Sequence, residues 1–153
     1  MSTDTLIQFL DTTDADGVAL GPAICNRRQV ETFLAGGVIA AGDWVVFDTT
    51  KTGPARVAYV VEAPLVLTKG NGAVIGCALE AAVADARVKV VVAGYHAAAG
   101  AAAATVAGSV LVGPIAVAGR ADIEIPVSTT GKCGIALGAA VAFFAPVSVV
   151  KTF

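Results

Sequence analysis

Short apolar stretches separated by turn residues run through the middle of the chain, and this pattern limits the fold more than any other feature. β-branched and aromatic residues fill stretches 43–48 and 56–61, and a turn containing Gly and Pro joins the two. Further apolar stretches lie at 64–68, 73–79 and 88–93, with Gly, Asn or Asp between them. Strands at this spacing are typical of β-sandwiches and β-barrels. We therefore predict an all-β fold built from small barrel or sandwich units.

Two parts of the chain resemble each other. Without gaps, 76–84 aligns with 134–142 at seven identical positions of nine, and the matches include Gly and Leu as well as the common Ala and Val. The repeat predicts two related β units, at 27–95 and 109–153, the second of which either repeats the first or completes its strands. The Ala- and Gly-rich segment 96–108 is then the connector between them.

The first 26 residues have small apolar clusters among Asp and Thr, interrupted by Gly and Pro, so that no long helix fits. We predict an extended arm over 1–26. Such an arm cannot bury its own apolar side chains, so it must lie on its own domain or on a neighbouring molecule. The apolar residues that would make this contact are Leu6, Ile7, Phe9 and Leu10.

One short helix is expected directly after the arm, over 27–37. Val30, Phe33 and Leu34 stand at helical spacing in this segment, and two consecutive glycines end the pattern. This segment is the best helix candidate in the chain, so one short helix completes the predicted fold. A single helical turn in the Ala-Ala-Val-Ala runs at 81–84 and 139–142 is the alternative to extended chain there.

Two aromatic residues in the first predicted strand have opposite orientations. Trp44 and Phe47 are three residues apart, which is an odd offset in an element of period two. One of the two must therefore face outward or contact a neighbour.

The chain is 56% hydrophobic and only 14% charged, and Ala and Val supply most of the excess. Soluble domains average about 45–50% apolar residues and about a quarter charged residues. So few charges leave apolar surface to be covered, and we expect a homo-oligomer. The net charge of −2 provides no basic patch, so no nucleic-acid partner is expected.

The segment between Lys89 and Arg120 carries no formal charge and is long enough to cross a bilayer. Glycines and a proline interrupt it, and its many alanines favour insertion only weakly. We therefore expect no membrane span, with insertion of 97–119 as the alternative. The N-terminus also lacks the basic and then apolar order of a secretory signal, which predicts synthesis in the cytoplasm.

Few residues carry the chemistry that enzymes or metal sites need. His96, the only histidine, has no Cys or acid close to it in sequence, so neither a catalytic triad nor a metal site is indicated. Cys25, Cys77 and Cys133 fit no disulfide framework or metal-binding spacing and are expected to be small buried hydrophobes. Asp14 begins a stretch that matches a calcium loop only in part. We expect no enzymatic activity, no cofactor and no metal.

Four segments of the chain together form a recognisable pattern: GDWVVFD at 42–48, RVAYV at 56–60, GAVIGCALEAA at 72–82 and VKVVVAG at 88–94. This pattern resembles the small capsid decoration proteins, also called cement proteins, of tailed bacteriophages. The resemblance covers about 27–95 and extends more faintly over 120–153.

This resemblance implies a function on the virion. Proteins of that family are β-rich, commonly trimeric, and bind the outer capsid surface at junctions between capsomers, where they brace the shell. We therefore expect a homotrimer whose partner is the major capsid protein. The residues expected at the capsid or subunit interface are Leu6, Ile7, Phe9, Leu10 and Trp44.

The alternative function is that of a receptor- or carbohydrate-binding β-barrel from a phage fibre. A module of this kind needs exposed aromatic side chains that converge on a shallow pocket. The candidates for such a pocket are Trp44, Tyr59 and Tyr95.

Overall fold

The structure is a computed structural model. It describes residues 28–64, 74–101, 105–114, 117–123, 132–139 and 146–151. Most of these residues form strands: β1 Arg28–Ala35, β2 Trp44–Phe47, β3 Tyr59–Glu62, β4 Gly76–Ala78, β5 Arg87–Gly100, β6 Val110–Val112, β7 Asp122–Ile123, β8 Lys132–Ala136 and β9 Pro146–Lys151. A 3₁₀ helix, Gly53–Val57, lies between β2 and β3. The all-β prediction is confirmed, and the predicted arm over 1–26 lies outside the described residues.

All of these strands belong to one sheet, and β5 organises it. The first part of β5 pairs with β1 on one side and β4 on the other, while its last part pairs with β9. Because β1 also pairs with β3, β3 with β2, and β2 with β4, these ladders return to β5 in a closed cycle of pairings. Ladders that close on themselves satisfy strand edges that would otherwise pair with other chains.

A second cycle of pairings starts from the end of β5. It runs through β9, β8, β6 and β7, and a parallel bridge between Ala101 and Ala121 closes it. We call the part of the sheet from β1 to Val92 of β5 the first unit, and the part from Gly94 of β5 to β9 the second unit. β5 therefore belongs to both units, whereas the sequence predicted a connector over 96–108.

The two units repeat each other strand for strand. β1, β2, β3, β4 and the first part of β5 correspond to the last part of β5, β6, β7, β8 and β9, and the cross-strand partners correspond as well. In the ladder between β2 and β4 the partners are Trp44 with Cys77 and Val45 with Gly76, and in the ladder between β6 and β8 they are Val110 with Ile135 and Leu111 with Gly134.

The turns that lead into β2 and β6 repeat as well. The Gly42 N–H donates to the Ala78 carbonyl at 2.8 Å, and the equivalent Gly108 N–H donates to the Ala136 carbonyl at the same distance. Both glycines have a positive φ, 84° and 89°, which places them in the left-handed region. The sequence repeat is therefore also a repeat of backbone structure.

The predicted helix over 27–37 is wrong. Arg28–Ala35 is β1, which pairs antiparallel with β5 and parallel with β3. A helix of this length has little stability of its own. The same residues in a strand close the ladder between β5 and β3, and they bury Phe33 and Ala35 on one side of that strand.

The apolar side chains form two clusters. The first-unit cluster lies within the cycle of the first unit and consists of Phe33, Ala35, Ile39, Val45, Val60, Ala78, Ala82, Val88 and Val90. The second cluster combines residues of both units, namely Trp44, Ala63, Val74, Cys77, Ala99, Ala101, Leu111, Ala121, Cys133, Ala136 and Val149.

Candidate interaction surface

The two units meet along a seam that is centred on Trp44. The Trp44 indole N–H donates to the Gly100 carbonyl at 3.0 Å, and its backbone N–H donates to the Gly119 carbonyl at 2.9 Å. The Gly119 N–H in turn donates to the Ala63 carbonyl at 2.8 Å. Trp44 and Ala63 belong to the first unit, and both glycines belong to the second unit. The seam is therefore held by backbone and indole hydrogen bonds around one large buried side chain.

Trp44 and its cross-strand partner Cys77 face away from the interior of the first unit. Their neighbours Val45 and Ala78 belong to the first-unit cluster, whereas Trp44 and Cys77 are fully buried in the second cluster, which also contains Leu111 of the second unit. Side chains alternate between the two faces of a strand. The second unit therefore covers the outer face of β2 and β4.

A charged group lies at the same seam. Arg120 Nη2 is 3.5 Å from Asp43 Oδ1, and Asp43 Oδ2 accepts a hydrogen bond from the Ala40 N–H at 2.7 Å. Burial raises the pKa of Asp43, while the Ala40 N–H and the Arg120 charge act in the opposite direction. Burial also raises the pKa of Glu62, with a further contribution from the negative charge of Asp43. The charge of Arg120 lowers the pKa of Glu62 as well as that of Asp43, so one guanidinium interacts with two carboxyl groups of the other unit.

Glycines allow these groups to approach each other. A Cβ on Gly119, whose φ is 69°, would lie 2.7 Å from Glu62 Oε1. A Cβ on Gly100 would overlap the Arg120 side chain. The positive φ favours glycine at position 119, whereas a side chain at position 100 would displace Arg120 from its place in the seam.

His96 is buried in the shared strand, although the sequence suggested a surface or connector position. Its Nε2 lies 3.1 Å from the Ala78 carbonyl, and its Nδ1 accepts a hydrogen bond from the Ala98 N–H at 3.0 Å. With Nδ1 acting as acceptor, Nε2 carries the proton, so the ring is neutral. Burial lowers the pKa of His96, and the charge of Arg28 lowers it further.

The cysteines that the structure describes behave as the sequence predicted. Cys77 and Cys133 are both fully buried in the second cluster, and no disulfide joins the two. The Cys77 thiol donates to the Gly42 carbonyl at 3.2 Å, and burial raises its pKa strongly. A thiol held in its protonated form is a poor nucleophile. Cys25 lies outside the described residues.

Several large apolar side chains are exposed on the part of the chain that the structure describes. They belong to the turns and strand ends of both units: Val38, Phe47, Val57, Val83, Val106 and Leu137. Val38 and Val83 are 76% and 65% exposed and lie next to each other, because they flank the antiparallel bridge between Ile39 and Ala82. We call this pair the valine patch.

Of the predicted interface residues, the structure describes Trp44 alone. Trp44 is fully buried in its own chain, and Phe47 is the aromatic residue of β2 that faces outward, at 37% exposure. The other predicted interface residues, which are Leu6, Ile7, Phe9 and Leu10, lie outside the described residues.

The three aromatic residues of the alternative function are not brought together at one surface. Trp44 is in the core, Tyr59 lies in β3 with Lys51 Nζ 4.4 Å from its ring centroid, and Tyr95 lies in β5. Tyr59 and Tyr95 are both partly buried.

Within the described ranges, no group of three or more His, Cys, Asp or Glu side chains is arranged to hold a metal ion. Across the same residues, no helix has the length and apolar character needed to cross a membrane.

The chain was then compared with known proteins. No protein-family model matches it, and no curated protein matches it. The chain is similar to a phage head-fiber base. This solved structure is the N base of the head fiber gp8.5 in bacteriophage phi29, with 16% sequence identity, a TM-score of 0.49, and coverage of 82% of this chain and 94% of that chain. Because the identity is low and the TM-score lies below 0.5, nothing about the function of this chain follows from the likeness.

Proposed function

We propose that this chain is a structural protein of a tailed-phage virion. In this proposal it binds the major capsid protein on the outer surface of the capsid and stabilises the shell at junctions between capsomers. It acts by binding as a homo-oligomer, without a catalytic step or a cofactor. The four segments that resemble phage decoration proteins support the proposal, and three of them contain strands of the first unit, namely β2, β4 and β5.

The observation that carries the proposal is the valine patch. Val38 and Val83 project from the outer side of a bridge whose own residues, Ile39 and Ala82, are buried in the first-unit cluster. Their positions are therefore fixed by a packed core, although the valines themselves contact water. An exposed apolar pair held rigidly in this way offers a preformed contact to a partner surface.

A small apolar patch suits binding to a symmetric shell. Burial of apolar surface contributes about 25 cal/mol per Å², so that two valines give only a weak contact. Several copies on one oligomer would engage equivalent sites of the lattice together, and the combined affinity then exceeds that of a single contact by orders of magnitude.

The direct test is sedimentation of the purified protein with phage shells that lack their decoration protein. We expect the protein to pellet with the shells at micromolar concentration. The double variant Val38→Asp/Val83→Asp should stay in the supernatant, and Leu137→Asp, which changes another exposed apolar residue, should pellet like the wild type. Wild-type protein that remains in the supernatant would refute the proposed function.

A second test concerns the predicted arm. Deletion of 1–26 should weaken association with shells or between subunits and should leave the β-strand signal in circular dichroism unchanged. Loss of the β-strand signal would show that the segment is part of the folded core and would rule out its role as a binding arm.

A further inference from the structure

Because the two units repeat each other, each of the two faces that meet in the seam has an equivalent face on the other unit of the same chain. In the seam, the outward-facing pair Trp44 and Cys77 is fully buried by the second unit. The equivalent pair in the second unit is Val110 and Ile135, which are cross-strand partners in the same register. Both are only partly buried. We call Val110 and Ile135 the outer face of the second unit.

The opposite side of the seam also has a counterpart. Gly100, Gly119 and Arg120 of the second unit contact the first unit, and their ladder positions correspond to Leu34, Ala58 and Tyr59. All three counterparts are partly exposed, and the adjacent Val57 is 65% exposed. We call Leu34, Val57, Ala58 and Tyr59 the covering face of the first unit.

The charges of the seam have been replaced on both counterpart faces. Asp43 and Glu62 correspond to Ser109 and Ile123 in the second unit. Arg120, which forms an ion pair with Asp43 and whose charge lowers the pKa of Glu62, corresponds to Tyr59. The counterpart faces therefore have neither the two carboxyl groups nor the guanidinium of the seam. The two counterpart faces can meet without burying an unpaired charge, which would be costly.

The sizes of the side chains are also complementary. In the seam the large Trp44 packs in a cluster with Ala99, which corresponds to Phe33 in the first unit. At the counterpart contact the smaller Val110 replaces Trp44, and Phe33, which replaces Ala99, fills the interior of its own unit. The counterpart contact therefore needs no large side chain to enter the unit that it covers.

We propose that the outer face of the second unit binds the covering face of the first unit of another copy of this chain. This contact reproduces the seam between molecules. It is heterologous, because it joins two different faces, so that successive copies associate head to tail and can close into a ring. Lys51 lies next to the covering face, and its ammonium group has a cation–π partner there, because Nζ is 4.4 Å from the centroid of the Tyr59 ring.

The first test is the mass of the full chain by sedimentation velocity at micromolar concentration. The wild type is expected to be an oligomer. Val57→Asp on the covering face and Ile135→Asp on the outer face should each lower the mass to that of a monomer, because each buries a carboxylate without a partner. Val110→Asp is a second variant of the outer face, in case Ile135→Asp does not fold, and circular dichroism checks folding in each case.

Matched controls exist in both units. Leu137→Asp lies two residues beyond Ile135 and changes a side chain that is 49% exposed, but its counterpart Leu79 is not part of the seam cluster. Val83→Asp changes an exposed valine of the first unit outside the covering face. Both controls should keep the wild-type mass. Dissociation by the two controls as well as by the face variants would contradict the proposal.

Mixing the face variants tests the head-to-tail geometry itself. Val57→Asp retains a functional outer face, and Ile135→Asp retains a functional covering face. An equimolar mixture should therefore form a dimer, although each variant alone is monomeric. A mixture that stays monomeric, or a wild type that is monomeric, would overturn the proposal. Neither result depends on shell binding, because no shell is present.

Discussion

The interiors of the two units differ, although their ladders are the same. The first unit places Phe33, Ile39 and Val60 at positions where the second unit has Ala99, Thr105 and Ala121. The second unit thus has smaller side chains at these interior positions, and Trp44 of the first unit packs in the same cluster as its alanines. Two repeated units can therefore have the same backbone pairings while a side chain of one unit completes the core of the other.

The largest expected effect concerns Trp44, the side chain of the first unit that packs in the cluster shared with the second unit. Trp44→Ala should lower the free energy of unfolding by about 3–5 kcal/mol, because it leaves a cavity in the shared cluster. The equivalent Val110→Ala should cost less than about 1 kcal/mol, because Val110 is partly exposed. Urea unfolding of both variants measures the difference. Equal losses would mean that the two units do not depend on each other as the structure indicates.

A second comparison uses the equivalent glycines of the turns. Gly42→Ala would place a Cβ 2.6 Å from the Ala98 carbonyl oxygen, whereas a Cβ on Gly108 meets nothing within 4 Å. Both substitutions carry the cost of a positive φ, about 1–2 kcal/mol, and overpacking adds to it only at Gly42, for a total of about 3 kcal/mol. Thermal or urea unfolding distinguishes the two. A larger loss for Gly108→Ala would contradict the packing of the shared strand against this turn.

Substitution of Arg120 should lower the free energy of unfolding more than substitution of its counterpart, Tyr59. Arg120→Met leaves Asp43 buried without a cation and should cost about 1–2 kcal/mol at pH 7, since the pair is partly exposed. Tyr59→Phe should change stability by less than about 0.5 kcal/mol.

The cost of Arg120→Met should depend on pH in a defined direction. Loss of the cation raises the pKa of Asp43 further above its ordinary value of 3.8. A carboxyl group whose folded pKa is raised contributes stability below its unfolded pKa and loses it as the pH rises. The deficit against the wild type should therefore shrink as the pH falls toward 4. A deficit of constant size would mean that Asp43 is not the group that responds.

The smallest expected effect lies in the strand that both units share. Because the folded pKa of His96 is lowered, the unfolded chain binds the proton first, and stability should fall as the pH drops below about 6.5. The loss should be at most about 1.4 kcal/mol per pH unit for one proton. His96→Gln, which keeps a donor and an acceptor, should remove this dependence between pH 6.5 and 5. An unchanged pH profile would show that His96 does not titrate with unfolding.

Strand-rich parts of the fold could be predicted from sequence where β-branched residues dominate. β2, β4 and β5 all lie within or overlap stretches that the alternation of residue types marked as strands. β1 could not be predicted in this way, because Val30, Phe33 and Leu34 fit helical spacing and only the pairing with β5 decides the outcome. β3 begins later than its sequence pattern suggested, because a 3₁₀ helix that starts at Gly53 takes up the preceding residues.

The repeat was visible in sequence only around β4 and β8, where both units have the same Gly and Ala residues. Gly76 illustrates the reason, since a Cβ there would overlap the Val91 carbonyl. At the positions that form the seam, the two units have different residues, as Trp44 and Val110 show. The ladders also shift the sequence alignment by one residue at the last strand, because Val90 and not Val91 takes the position equivalent to Val149.

The charged group at the seam could not be found from sequence. Asp43, Glu62 and Arg120 are far apart along the chain, and only the two cycles of pairings bring them together. No motif spacing signals such a contact. His96 was misjudged for a related reason, because its partners in β4 and in the bulge of β5 become neighbours only in the folded sheet.

The most direct measurement of the proposed stabilising role is the thermal opening of DNA-filled shells that lack their decoration protein. Shells saturated with the wild-type chain should release their DNA at a higher temperature than bare shells. Shells mixed with Val38→Asp/Val83→Asp should open at the temperature of bare shells. An unchanged opening temperature for shells that have bound the wild-type protein would contradict the central claim that this chain braces the capsid.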